Sequence, residues 1–322
     1  MKPLRVLSWA GAWGRALTDE VSRPFTEATG IAVEHVRHVG LRLPEGLRDA
    51  LENGARPPVD VVWCNTAPAI RAADRGWCAP LDGLEVLGEL AERARPPGRD
   101  DWPFVQAYAV HYVLVYRKAL YPTAPPRSWN VLLRPEHAGR VVLYPGGKGF
   151  LPVAQVLGGG KPSTIPDDMD ACWSVVRRMR PQLGRPDYSI GLGEPIRRGE
   201  IDLCYRALPN ALGFMAEGVD VEWTVPEEGV ADTTDALWVP RGVDDETAEH
   251  ARRYVAFAMS AGVQERWCGA LGAVPLHPRA AVPALLRRAG GPLTRDLLPV
   301  AAEVEARWEA DWERTFDATI GA

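Results

Sequence analysis

The stretch Tyr144-Pro-Gly-Gly-Lys-Gly149 follows a short apolar run and sets three glycines around one lysine. Glycine-rich turns expose backbone N–H groups, and a lysine adds positive charge, a combination that suits a carboxylate or a phosphate. Gly147 and Lys148 are therefore candidate anion contacts; the same residues would also serve in a solvated surface turn. The run is not a P-loop, because Gly149 and Phe150 follow Lys148 where a Ser or Thr is required. Near the start, Trp9 and Trp13 bracket Ala10, Gly11 and Ala12. Small residues let a ligand approach the backbone, and indole rings supply flat contact area with a polar handle. Both tryptophans equally suit a core. Asn65 and Thr66 end an apolar run and either donate to a ligand or cap the next helix. His111 and Tyr112 lie in a long valine- and tyrosine-rich run, as core groups or as ligand contacts. Tyr205 is core or a stacking platform.

The elements that must position these residues follow from periodicity. Leu4 to Ser8 reads as a buried strand. Leu17, Val21 and Phe25 recur at a spacing of four and mark one helix face. Pro24 is expected to kink or restart that helix, and Gly30 to close it. Ile31 to Val36 and Val59 to Trp63 are strands, and Ala67 to Asp74 is a helix. Ala107 to Tyr116 is a long strand, and Val141 to Tyr144 a shorter one. Helices are expected over Met169 to Met179, Glu194 to Arg198 and Pro209 to Glu217. Strands are expected at Ile201 to Tyr205, Val219 to Val225 and Ala236 to Val239, with helices dominating from Asp245. Glu227 and Glu228 read as a solvated turn. Strands alternating with helices argue for an α/β protein with a parallel sheet. Strand-to-helix junctions are where such sheets usually bind ligands.

At 322 residues the chain suggests two domains. Hydrophobic content of 46% and a net charge of −5 are ordinary for a globular protein. With no Lys/Arg cluster, nucleic acid is not an expected partner. No apolar stretch approaches the roughly 20 residues that span a bilayer, so no transmembrane segment is expected. The N-terminal MKPLRVLSWAG enters a strand with no signal-peptide pattern. The five cysteines, Cys64, Cys78, Cys172, Cys204 and Cys268, form no CxxC pair, and the odd number cannot all pair internally. They lean towards a reducing compartment and read as small core hydrophobes. No motif calls for a metal or a cofactor, and neither HExxH nor GxSxG occurs, so no catalytic residue is assigned.

Several collinear stretches carry a resemblance: LRVLSWAGAWGRALTDEVSRPFTEATGIAVE, VDVVWCNTAPAIRAADRGWCAPLDG, YVLVYRKALYPTAPPRSWNVLLRPEHAGRVVLY, IRRGEIDLCYRALPNAL and GAVPLHPRA. Together they resemble extracellular solute-binding proteins of ABC importers, in the spermidine/putrescine-binding branch. The resemblance implies a two-lobed type II periplasmic-binding-protein fold, with two hinge-crossing strands and a ligand cleft between the lobes. It implies an extracytoplasmic monomer that captures a small solute by hinge closure and hands it to an ABC permease. One lobe would comprise residues 1–109 and 233–290, the other 110–232 and 291–322. It also implies that the first strand-to-helix turn, with Trp9 and Trp13, lines the cleft.

The chain departs from polyamine binders where those hold ammonium groups with carboxylates and aromatic faces. The turn after the fifth strand carries GGKG instead of an acid. Arg206-Ala-Leu208 stands where a Trp-Asn pair is usual, and in the late turn that the resemblance implies at Asp232-Thr-Thr-Asp235 only Asp235 keeps the acidic chemistry. Arg206 could add a bidentate clamp, and with Asp235 opposite it a zwitterionic or anionic solute fits better than a polyamine. The alternative is a cytosolic enzyme or binder recruited from the same fold, with His111, Lys148, Asp235 and Cys204 as its available acids and bases.

Overall fold

The computed structural model describes residues 2–38, 42–184, 191–287 and 297–321. The chain divides into two compact units, Met1–Ala109 with Thr234–Pro283, and Val110–Thr233 with Ala284–Ala322. The sequence boundary drawn between residues 290 and 291 lies outside the described residues.

Unit one is built from β1 (Leu4–Trp9), α1 (Gly11–Leu17), α2 (Arg23–Thr29), β2 (Val33–His38), α3 (Glu45–Glu52), β3 (Val61–Asn65) and α4 (Thr66–Asp74). It takes the first half of β4 (Val105–Arg117). Strand β1 pairs in parallel with β2 and with β3. The helix expected over Leu17 to Phe25 is continuous but not regular. A π-type turn, Thr18–Ser22, joins α1 to α2, and Pro24 falls in the first turn of α2. Proline has no N–H to bond back along the ladder, so the wide turn takes up the register and the helix restarts on the proline. Gly30 ends it in the left-handed region, at φ 72°. Beneath the sheet, Leu7, Leu47, Leu51, Val62, Trp77, Phe104 and Trp238 form one buried cluster.

Unit two takes the rest of β4, then β5 (Val141–Val142), α5 (Leu151–Leu157), α6 (Asp170–Met179), α7 (Gly193–Arg197), β6 (Leu203–Ala207), α8 (Leu208–Ala216) and β7 (Val221–Thr224). Strand β6 pairs antiparallel with β4 and parallel with β5, and β7 pairs antiparallel with β4. The chain then runs through β8 (Asp232–Trp238) into unit one, which it completes with α9 (Asp245–Ala258), α10 (Ala261–Leu271) and β9 (Val274–Pro275). Helices α11 (Ala284–Arg287) and α12 (Ala302–Gly321) belong to unit two.

Three expectations are corrected here. Asp232 to Asp235 is strand, not a turn: its two β-branched threonines extend, and Asp235 pairs with Asn65 on the antiparallel β3–β8 ladder. Glu228 is not merely solvated, because its carboxylate accepts from the Ser128 hydroxyl and, at 3.1 Å, from the Trp129 backbone N–H. The sheets are mixed rather than purely parallel, since the long valine- and tyrosine-rich strand pairs antiparallel with β6, β7 and β9.

Candidate functional site

Five of the residues singled out by sequence lie in unit one, and four of them are tied into two small networks. Strand β3 hands over to α4 with no intervening loop, so Asn65 and Thr66 sit at the carboxyl end of the strand. The Asn65 amide donates to the Asp235 carboxylate at 2.5 Å. Thr66 Oγ1 donates to the Thr234 carbonyl at 2.9 Å and lies 2.8 Å from its hydroxyl. Neither side chain caps α4. All four residues are buried, Asp235 to 1% exposure. Gln106, which sequence reading passed over, completes the group. Its carbonyl oxygen accepts from Thr234 Oγ1, and its amide donates to the Arg93 and Arg95 carbonyls at 2.8 and 2.7 Å.

Tyr108 was also missed, and it connects the tryptophans to this cluster. Trp13 Nε1 donates to Tyr108 Oη at 3.0 Å. Burial, and then the nearby Asp235 carboxylate, push the Tyr108 hydroxyl well above its usual range. Trp9 and Trp13 are half-buried, with ring centroids 6.3 Å apart at 48°. Trp9 also stacks on His38, its register partner on β2, with centroids 6.5 Å apart. The only sequence signal for Tyr108 was its place in a tyrosine-rich strand; nothing signalled Gln106.

The other six candidates lie in unit two. Tyr112 and Tyr205 stack with centroids 5.0 Å apart at 18°, and Tyr144 meets Tyr112 edge-on at 5.9 Å. The Arg206 guanidinium lies 4.4 Å over the Tyr144 ring and donates to the Tyr205 carbonyl at 2.8 Å. Arg206 is 1% exposed, unusual for an arginine. Tyr144 is itself fixed, its hydroxyl donating to Asn210 of α8 at 2.8 Å and accepting from the Ala207 N–H at 3.3 Å. Tyr205 Oη donates to the Gly149 carbonyl at 2.6 Å, so this tyrosine is both core and the floor of the stack. His111 is buried in β4.

Lys148 differs from the expected open anion contact. Its ammonium reaches Glu309 at 2.9 Å and Glu305 at 3.2 Å, carboxylates one turn apart on α12, and the residue is buried. Burial alone would lower its pKa; the two carboxylates outweigh that and raise it above the ordinary lysine value. An incoming anion at this ammonium would face two carboxylates already in place. The flanking glycines serve close packing. A Cβ on Gly147 would stand 2.6 Å from the Phe316 ring, and one on Gly149 would stand 2.5 Å from the Tyr112 ring. Both have positive φ, which glycine adopts without strain.

The five thiols are free and buried. Burial pushes Cys204 up to about 11 and Cys64 and Cys172 to about 12, so none of these three is a thiolate nucleophile at neutral pH. Among the described residues, no group of three His, Cys, Asp or Glu side chains could hold a metal ion, and no helix is long and apolar enough to cross a membrane.

Solved structures define the fold. The chain is similar to an ABC transporter substrate-binding protein from Bradyrhizobium japonicum USDA 110, with a TM-score of 0.83, 18% identity and 99% of each chain covered. It is similar to the Atu4243-GABA receptor, with a TM-score of 0.80, 19% identity and 99% of this chain and 98% of that chain covered. It is also similar to the periplasmic binding protein AgtB from A. tumefaciens R10 in complex with agropinic acid, with a TM-score of 0.78, 19% identity and 100% and 99% coverage. The fold is therefore the α/β fold of periplasmic binding proteins over the full length. The sequence profile described as bacterial extracellular solute-binding protein matches residues 20–289, and the chain belongs to that family. Comparison with curated proteins finds no match.

Proposed function

We propose that this chain is the solute-capturing component of an ABC importer, acting outside the cytoplasm, and that its solute is a small zwitterion carrying an amine and a carboxylate. The observations that carry the reading are one buried charge of each sign, Asp235 within β8 of unit one and Arg206 near the end of β6 of unit two. Asp235 is held by Asn65 beside Tyr108, and Trp9 and Trp13 add π-faces, the chemistry that suits an ammonium group. Arg206 offers a planar fork of donors within a tyrosine cluster, the chemistry that suits a carboxylate. Two of the similar structures are named for GABA and for agropinic acid; GABA carries both groups. Hinge closure is the capture step in this reading, and an ABC permease the recipient.

A second reading, a diamine in the manner of the spermidine/putrescine branch, draws on Asp235 and the tryptophan pair alone and leaves Arg206 without a role. Titration calorimetry with GABA, L-glutamate, putrescine and spermidine separates the two. Binding of an amino acid, lost in both Asp235→Asn and Arg206→Met, supports the zwitterion. Binding of putrescine that survives Arg206→Met overturns it in favour of the diamine. Mass spectrometry of the recovered solute tests the enzyme alternative: a chemically altered solute overturns the carrier role.

A further inference from the structure

The junction between β1 and α1 in unit one is held by a residue that the proposed function does not use. Arg37 sits on the edge strand β2, paired with Ser8 on β1. Its guanidinium forks. One nitrogen, Nη1, donates to Ser8 Oγ at 2.6 Å and reaches the Trp9 carbonyl at 3.4 Å. The other, Nη2, donates to Thr18 Oγ1 at 2.5 Å. Thr18 is the first residue of the π-type turn, and its hydroxyl also donates to the Gly14 carbonyl at 2.9 Å. One planar group thus ties the end of β1 to the helix that carries Trp13.

Gly14 makes room for this arrangement. A Cβ there would stand 2.4 Å from the Trp9 carbonyl oxygen and 2.7 Å from Arg37 Nη1, closer than real contacts allow. Only a guanidinium presents donors in two fixed directions from one side chain; an ammonium on a flexible stem would reach one acceptor set or the other. Ser8 Oγ, the Trp9 carbonyl and Thr18 Oγ1 are all neutral oxygens. The adjacent His35 is held neutral, its pKa pushed down to about 4 by burial and then by Arg37 itself. These hydrogen bonds fix the direction of the fork.

We infer that Arg37, with Gly14 as its clearance, is a positioning residue for solute recognition, fixing the mutual orientation of Trp9 and Trp13. The inference rests on the proposal above that these tryptophans contact the solute.

The test uses the full chain with Arg37→Lys, Gly14→Ala, Trp13→Phe and the Arg37→Lys/Trp13→Phe double variant. Circular dichroism without solute reads the exciton band of the Trp9–Trp13 pair, identified by its loss in Trp13→Phe. Calorimetry with GABA and L-glutamate reads affinity. Arg37→Lys is expected to alter the band and to weaken binding at least tenfold. In the double variant the losses are expected to fall well short of multiplying, because both act through one ring pair. A merely structural residue would give independent, multiplying losses. Gly14→Ala is expected to reproduce the Arg37→Lys band. Wild-type band and wild-type affinity in Arg37→Lys overturn the inference, as does an altered band with unchanged affinity. If neither amino acid binds the wild type, the zwitterion reading fails, and the band in Arg37→Lys and Gly14→Ala decides the role of Arg37 by itself.

Discussion

Replacing Lys148 by methionine separates a clamp on the C-terminal helix from an anion contact. Methionine keeps most of the volume of the stem and removes the charge that Glu305 and Glu309 share. Removing one partner of a buried ion pair costs about 3–5 kcal/mol. The two carboxylate side chains are 19% and 23% exposed, so water reaches them and the low end applies. A loss of about 3 kcal/mol lowers the melting temperature by about 6–12 °C for a cooperative unit of this size. Adding Glu309→Gln to Lys148→Met should restore part of the loss, because one of the two neighbouring negative charges disappears. The pH dependence has a definite sign. Lys148 has a folded pKa above its ordinary value of 10.5, so its contribution is fully present below that pH and disappears as pH rises through the folded value. The gap between wild type and Lys148→Met should therefore stay constant through neutral pH and close only in strong alkali. Thermal unfolding followed by calorimetry from pH 6 to 10 checks the size of the gap and its constancy. A melting temperature within about 2 °C of wild type would refute the clamp and return Lys148 to a solvated turn.

The remaining predictions concern the site and its packing. Asp235→Asn should abolish binding of an amine-bearing solute and bring the Tyr108 hydroxyl back towards its usual pKa, since the carboxylate is one cause of its rise; ultraviolet titration of tyrosine follows it. Arg206→Lys should weaken carboxylate binding by about 1.5–3 kcal/mol, the range for a hydrogen bond to a charged group, and calorimetry measures it. Gly147→Ala should destabilise by at least about 2 kcal/mol, combining a positive φ of 67° with a contact into Phe316, and urea unfolding would show it. All five thiols should resist a disulfide reagent in the native protein and react at once in denaturant, because each is buried.

Much of the framework was legible because period and punctuation were strong. The strand ending at Trp9, the helix capped by Gly30 and the long valine- and tyrosine-rich strand lie within a residue or two of their expected limits. Asp232 to Asp235 misled because the turn was carried over from the resemblance, whereas these residues open strand β8 and Asp235 pairs with Asn65 of β3. Lys148 misled for a different reason. Its partners Glu305 and Glu309 lie more than 150 residues away, on a helix whose own pattern says nothing about what it covers. The same distance hid Gln106, whose acceptor role depends on Thr234, 128 residues further on. Asn65 was open between ligand contact and helix cap; its amide goes to Asp235 and does not cap α4. Charge placement at long range is what a single sequence does not encode locally.

The interrupted composition of unit one has a consequence for biosynthesis. Strand β3 pairs on one side with β1, but its other partner, β8, is about 170 residues downstream. As the chain emerges, the first 109 residues present β3 as an unsatisfied edge, with Val62 and Trp63 waiting for Trp238 and Leu237. An apolar edge of this kind invites pairing with a neighbouring chain. Unit one closes only after the intervening segment of unit two has been synthesised. A ribosome-bound chain stopped near residue 110 is thus an aggregation hazard, whereas one stopped after β9 is complete on that side.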